Sequence, residues 1–211
     1  MPALPEVDAA NGTAAAAIAE ALTSHGACRI AGLFAPAQMA ALRTDLQRLR
    51  GDGALRPASI GHDAIRNLRP DIRGDSMLWL HDPRCGDAAR DFIAVLDGLR
   101  SALNRSLYLG LQDVEAHYAA YPAGNGYARH RDRFRDDDAR VLSWVTYLND
   151  DWRETDGGAL RLYAEQGCVD VLPQSGTSVC FLSELEHEVL PALRERLSIA
   201  AWLRRTGTTG S

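Results

Sequence analysis

From residue 110 onward the chain becomes a succession of short apolar and polar alternations, at 113–121, 127–130, 140–148, 159–163, 168–171, 177–182, 187–190 and 196–204, divided by turn-forming residues. Period-two alternation marks strands with one buried face, and eight in succession suit an antiparallel sandwich or jelly roll enclosing a space between two sheets. The first half reads differently. Thr13 can cap a helix through Leu22, 27–34 reads as a strand, and Ala35-Pro36 opens a helix whose Met39, Leu42, Leu46 and Leu49 recur at helical spacing. Residues 77–80 form a short strand, and Asp82-Pro83 is expected to open a third helix with Phe92, Val95, Leu96, Leu99 and Leu103 on its apolar stripe. Helices that precede a run of strands predict an α+β fold in which they buttress one outer face of a sheet.

With 211 residues and 46% hydrophobic content, the chain can bury one sizeable core. We expect a loose leader over 1–12, a single domain over 13–205 (helical support to about 109, jelly-roll core over 110–205) and a tail over 206–211. The glycine- and proline-punctuated stretch 51–70 reads as a loop, and Phe134 to Asp138 as a solvated acidic loop rather than a calcium site. A net charge of −5 and a pI near 5.7 argue against nucleic acid as the main partner. Cys28, Cys85, Cys168 and Cys180 lack metal or disulfide spacing and look like reduced thiols. The N-terminus lacks a basic, leucine-rich signal segment, and no apolar run approaches a membrane span, so the expectation is a cytoplasmic protein with no membrane partner.

Within the strand run, His130-x-Asp132 can present an imidazole and a carboxylate to the same side of one extended segment. His187 is the third candidate ligand, and two histidines with one carboxylate on one face of a metal leave the other face open, which suits iron(II) and oxygen. In the last strand, alternation puts Arg196, Ser198, Ala200 and Trp202 on one side and Leu197, Ile199, Ala201 and Leu203 on the other. Arg196 could grip a carboxylate through paired hydrogen bonds, as a dicarboxylate cosubstrate would require. A zinc hydrolase or a silent scaffold could keep the same triad, but Arg196 beside the metal favours an anionic cosubstrate. His25, His62, His81 and His117 have no matching partners and read as structural or exposed.

The residues YPAGNGYARHRD (121–132), YLNDDW (147–152), GGALRLY (157–163) and HEVLPALRERLSIAAW (187–202), with DIRGDSMLWL (71–80) upstream, resemble the prolyl hydroxylase branch of the 2-oxoglutarate and iron(II)-dependent dioxygenases, in particular the oxygen-sensing enzymes and their bacterial relatives. The resemblance runs from about residue 26 to about 205. It implies a double-stranded β-helix core, and Fe(II) held by His130, Asp132 and His187. It also implies 2-oxoglutarate and O2 as cosubstrates, Arg196 on the distal carboxylate, and ascorbate as a candidate accessory reductant. The implied reaction hydroxylates a protein prolyl residue, at C4, with succinate and CO2 as coproducts and elongation factor Tu as a candidate substrate. Hydroxylation of a small molecule or free amino acid is the nearest alternative. Asp75 is expected to pair with Arg140 near the substrate, with Tyr127 beside them, and 51–70 to close over the peptide. Tyr121, Tyr127, Thr146 and Tyr147 are candidate pocket hydroxyls. Where the family has Tyr-Tyr-Leu-Asn, this chain has Thr146-Tyr147-Leu148-Asn149, so Thr146 or another hydroxyl is expected to replace the first tyrosine.

Overall fold

The computed structural model describes residues 3–10, 14–58, 72–133, 139–164 and 167–206. Among these residues three α-helices, α1 (Ala14–His25), α2 (Pro36–Gly51) and α3 (Asp87–Leu107), and one 3-10 turn (Glu154–Asp156) accompany twelve strands. The strands are β1 (Glu6–Asp8), β2 (Ala27–Ala31), β3 (Arg56–Pro57), β4 (Ser76–Trp79), β5 (Asp113–Tyr121), β6 (Tyr127–His130), β7 (Arg140–Tyr147), β8 (Leu160–Ala164), β9 (Gly167–Val171), β10 (Thr177–Leu182), β11 (His187–Val189) and β12 (Arg196–Arg204). An eight-stranded sheet runs β1-β2-β10-β7-β12-β5-β4-β3, and a four-stranded sheet runs β6-β11-β8-β9. The pairing is antiparallel except between β1 and β2. The architecture is the expected double-stranded β-helix with helical support.

Two apolar layers follow from the alternation of the central strands. Leu197, Ile199, Ala201 and Leu203 of β12 point outward and join Ile18 and Leu22 of α1, Met39, Leu42, Leu46 and Leu49 of α2, and Phe92, Leu96, Leu99 and Leu103 of α3 in one core. The opposite faces of the same sheet send Tyr121, Tyr147, Val179 and Phe181 inward against Leu160, Leu162, Val171 and Val189 from the rest of the barrel. The residues between these layers therefore look into a space walled by both sheets, and the site lies there.

Besides shifts of one to three residues at several strand ends, three departures from expectation change the element map. Asp82-Pro83 makes a turn: Asp82 N–H donates to Trp79 O (3.1 Å), Cys85 N–H donates to Asp82 O (2.9 Å), and the Asp82 carboxylate is gripped by Arg84 (2.8 Å). The third helix starts only after Gly86. In the leader, Glu6–Asp8 is a strand, held by parallel pairing with β2. Within 51–70, Arg56–Pro57 pairs with β4 as the edge strand β3. The Thr13 cap, most of the 51–70 loop (59–70), the 134–138 loop and the tail from 207 fall outside the described residues. No described helix is long and apolar enough to cross a membrane.

Candidate metal centre and cosubstrate cavity

β6 and β11 pair so that His187 stands opposite His130, with ring centroids 4.2 Å apart. Asp132 follows β6 after one residue, and the chain is turned there because the Asp132 and Arg133 N–H groups both donate to Ser183 O (3.1 and 3.0 Å). Its Oδ1 lies 3.5 Å from His130 Nε2 and its Oδ2 lies 3.5 Å from His187 Nε2. All three candidate ligand atoms fall within 4.8 Å of one another. Donors about 2.1 Å from a common ion stand roughly 3 to 3.5 Å apart when neighbouring, so this is a ligand cage.

The protonation pattern suits a cation. His130 Nδ1 is 2.7 Å from Ala128 O and His187 Nδ1 is 3.0 Å from Leu185 O. A carbonyl oxygen only accepts, so each Nδ1 carries the proton and each Nε2 offers its lone pair inward. Asp132 Oδ2 accepts from Ser143 Oγ at 2.6 Å, and Ser143 contacts Ser183 Oγ at 2.9 Å. Burial raises the Asp132 carboxyl, but His187, His130 and Arg140 outweigh it and hold the group well below the usual carboxylate range. Burial pushes His187 down, so it stays neutral. Ser143 and Ser183 were not legible as site residues: a serine on a strand carries no spacing signal.

Arg196 lies at the far end of the same space and is buried. Its Nε donates to Gly158 O (2.9 Å) and its Nη1 to Ser198 Oγ (3.2 Å), while the Tyr121 and Tyr147 rings each stand 5.2 Å from its Cζ. Its Nη2 and the Tyr147 hydroxyl are both buried, near enough for Arg196 to act on the phenol, and neither has a hydrogen-bond partner elsewhere among the described residues. Leaving such a donor unpaired costs about 1–3 kcal/mol. Burial pushes the Tyr147 phenol up to about 12, so at neutral pH it is a donor too. Two adjacent orphan donors, one of them cationic, match a carboxylate. The cavity is about 280 Å³ and is lined by the triad, Tyr121, Val145, Leu160, Val189, Arg196 and Ser198. Iron and a dicarboxylate therefore both fit the donors present.

The structure corrects one cosubstrate expectation. Ser198 pairs with Tyr147 across the β7–β12 ladder and Ile199 with Thr146, so Tyr147 shares the cavity face and Thr146 the helix-packed face. Thr146 Oγ1 is occupied there by Trp144 Nε1 and Ser178 Oγ, both at 2.8 Å. Tyr147 is the hydroxyl that accompanies Arg196.

A second correction lies at the cavity mouth. Asp75 pairs with Arg73 through two bonds (2.7 and 3.0 Å), while Arg140 pairs with Glu115 (3.2 Å) and lies over the Trp202 ring at 3.7 Å. Glu115 stands opposite Trp202 in the β5–β12 ladder, which brings it to Arg140; Arg73 is only two residues from Asp75. Arg73 also lies 5.1 Å over Tyr127, whose ring stacks on His130 at 3.6 Å. His117 is a wall residue, set between Trp79 (5.2 Å) and Trp202 (5.4 Å), with Nδ1 3.0 Å from Tyr118 O and Nε2 3.4 Å from Arg73 Nη2. Burial, with Arg73 next, pushes its pKa down to about 4.

A carboxylate-and-two-histidine cage sharing one cavity with a buried arginine, within a double-stranded β-helix, defines an iron and 2-oxo-acid oxygenase. Comparison with known proteins agrees. The 2OG-Fe(II) oxygenase superfamily profile matches residues 116–204. A solved prolyl-4-hydroxylase from Pseudomonas putida is 44% identical, covering 92% of this chain and all of that one, with a TM-score of 0.83. A Trichoplax adhaerens prolyl hydroxylase, solved with a peptide fragment of the hypoxia inducible factor oxygen degradation domain, is 28% identical over 90% of this chain and 88% of that one, with a TM-score of 0.81. The hypoxia-inducible factor prolyl hydroxylase of Caenorhabditis elegans is 35% identical over 144 residues, 63% of this chain; the chain spans about a fifth of that curated relative, 20% of its length. The chain belongs to the 2OG-Fe(II) oxygenase superfamily, and within it to the prolyl 4-hydroxylases. It is a prolyl 4-hydroxylase-type dioxygenase, of a family that uses Fe(II), 2-oxoglutarate and O2.

Proposed function

We propose that this enzyme hydroxylates C4 of a prolyl residue in a protein, converting 2-oxoglutarate and O2 to succinate and CO2. The observation that carries the reading is that Arg196 lines the same cavity as the His130, Asp132 and His187 cage, with its Nη2 unpartnered and the buried Tyr147 hydroxyl beside it. In this reading the triad holds Fe(II), which supplies O2 activation coupled to oxidation of the 2-oxo acid and of a substrate C–H bond. Arg196 and Tyr147 take the distal carboxylate, with Ser198 fixing the guanidinium and Tyr121 flanking it. Ser143 steadies the Asp132 carboxylate. Trp79, His117 and Trp202 wall the mouth, where Arg73 and Arg140 are each held by a carboxylate and Tyr127 packs on a metal ligand. A peptide there would meet aromatic faces and fixed guanidinium groups while water is kept from the ligand cage.

Elongation factor Tu is our candidate substrate, with the cytoplasm as the site of action and ascorbate as accessory reductant; the resemblance to bacterial prolyl hydroxylases supports these. The test incubates the enzyme with Fe(II), 2-oxoglutarate and elongation factor Tu, a panel of prolyl peptides, or free proline. Mass spectrometry then looks for the gain of one oxygen on proline, matched by succinate. Hydroxylated peptide lost in Asp132→Ala supports the reading; hydroxylation of free proline alone overturns it in favour of a small-molecule enzyme.

A further inference from the structure

Arg29 is a cation whose environment the catalytic assignment leaves unexplained. It lies on β2 opposite Val179 of β10, and Val179 stands opposite Val145 of β7, two residues before Tyr147 on the same strand face. Its neighbours in β2 settle its direction: Cys28 and Ile30 belong to the helix-packed core, whereas Ala27, two residues away, belongs to the inner layer with Tyr147 and Val179. Arg29 therefore points between the sheets, on the side where Tyr147 projects.

Its Nε is buried and has no partner among the described residues. Glu6 stands opposite it in the β1–β2 ladder but is exposed, and the two make no ion pair. With no carboxylate paired to it, Arg29 leaves an uncompensated positive charge on this face of the sheet. The Tyr147 hydroxyl and Arg196 Nη2 are also buried without partners among the described residues, and Tyr147 projects from the same sheet face as Arg29. The charge of Arg29 also reaches Tyr147, where it opposes the upward push of burial on the phenol.

We propose that Arg29 is a specificity-determining residue for the cosubstrate, a second cation behind Tyr147 whose charge draws the distal carboxylate of 2-oxoglutarate toward Arg196 and Tyr147. The inference rests on the cosubstrate reading above. Arg196 makes the direct grip; Arg29 adds field and favours dicarboxylates over 2-oxo acids that end in a methyl group.

The experiment is an anaerobic titration of the Fe(II)-loaded protein, followed through the visible charge-transfer band of a chelated 2-oxo acid, with 2-oxoglutarate and with 2-oxobutyrate, which lacks the distal carboxylate. In Arg29→Met we expect the Kd for 2-oxoglutarate to rise about five-fold, the Kd for 2-oxobutyrate to stay unchanged, and Arg29→Lys to recover most of the loss. Thermal unfolding of the same variants reports folding separately. If wild type shows the band and Arg29→Met weakens both acids equally, or neither, the Arg29 inference falls alone. If wild type shows no band with 2-oxoglutarate, the cosubstrate reading falls and takes this inference with it.

Discussion

Tyr147 and Thr146 are neighbours in sequence with opposite duties, because a strand turns successive side chains to opposite faces. Tyr147→Phe should raise the Kd for 2-oxoglutarate about ten-fold, the worth of one hydrogen bond to a charged group, with little change in the iron-only state. Thr146→Val should leave that Kd unchanged and lower the melting temperature, since it orphans Trp144 Nε1 and Ser178 Oγ in the helix-packed core. Cosubstrate titration and thermal unfolding of the two variants check both. The sequence exposed the run of hydroxyls but not its register; one step of parity separates a cosubstrate donor from a core hydroxyl. Asp75 shows the same limit, for its partner was set by side-chain reach from Arg73, which no spacing rule encodes.

His117 carries the pH dependence at this scale. Its pKa falls from 6.5 to about 4 on folding, through burial first and then Arg73, with Asp75 acting the other way. The unfolded chain thus binds the proton more readily, so stability is complete above pH 6.5 and lost as pH falls toward 4, by up to about 3 kcal/mol. The burial-depressed pKa of His187 acts with the same sign. Urea unfolding of the metal-free protein between pH 7 and 4 should show the slope, and His117→Met should flatten it.

Among the elements, the turn entering β8 has most influence on the site. Gly157 and Gly158 both have positive φ, 70° and 71°, and the carbonyl of Gly158 receives Arg196 Nε. A Cβ on Gly158 would come within 2.8 Å of Ala192 Cβ and 3.1 Å of Trp152. Gly158→Ala should therefore cost about 1–3 kcal/mol and weaken 2-oxoglutarate binding by displacing Arg196, measurable by unfolding and by the same titration. The strands were the most legible elements: β5, β6, β10 and β12 have the bounds that alternation gave. Where Asp82-Pro83 mimics a helix start, the Arg84 clamp closes a turn first. β1 is set by pairing with β2, and a three-residue strand of Glu6, Val7 and Asp8 has too little pattern of its own to announce it.

Across the whole molecule, the two apolar layers separate support from chemistry. Leu96→Ala, in the fully buried helix-packed layer, should cost about 2–5 kcal/mol and leave iron and cosubstrate affinities unchanged. Phe181→Ala should cost a similar amount and also weaken iron binding, because Phe181 braces the His187 ring at 4.7 Å from within the inner layer. Denaturant unfolding beside a metal titration separates the two outcomes.

The cross-strand pairing of His130 with His187 has a consequence for folding as well as for chemistry. Two of the shortest strands, β6 and β11, carry these ligands, and the long stretch of chain between them must be brought round before they meet. A cation seated there would be a clasp: it would close that loop in the folded state alone, so removing it should loosen the pairing of β6 with β11 as well as silence the site.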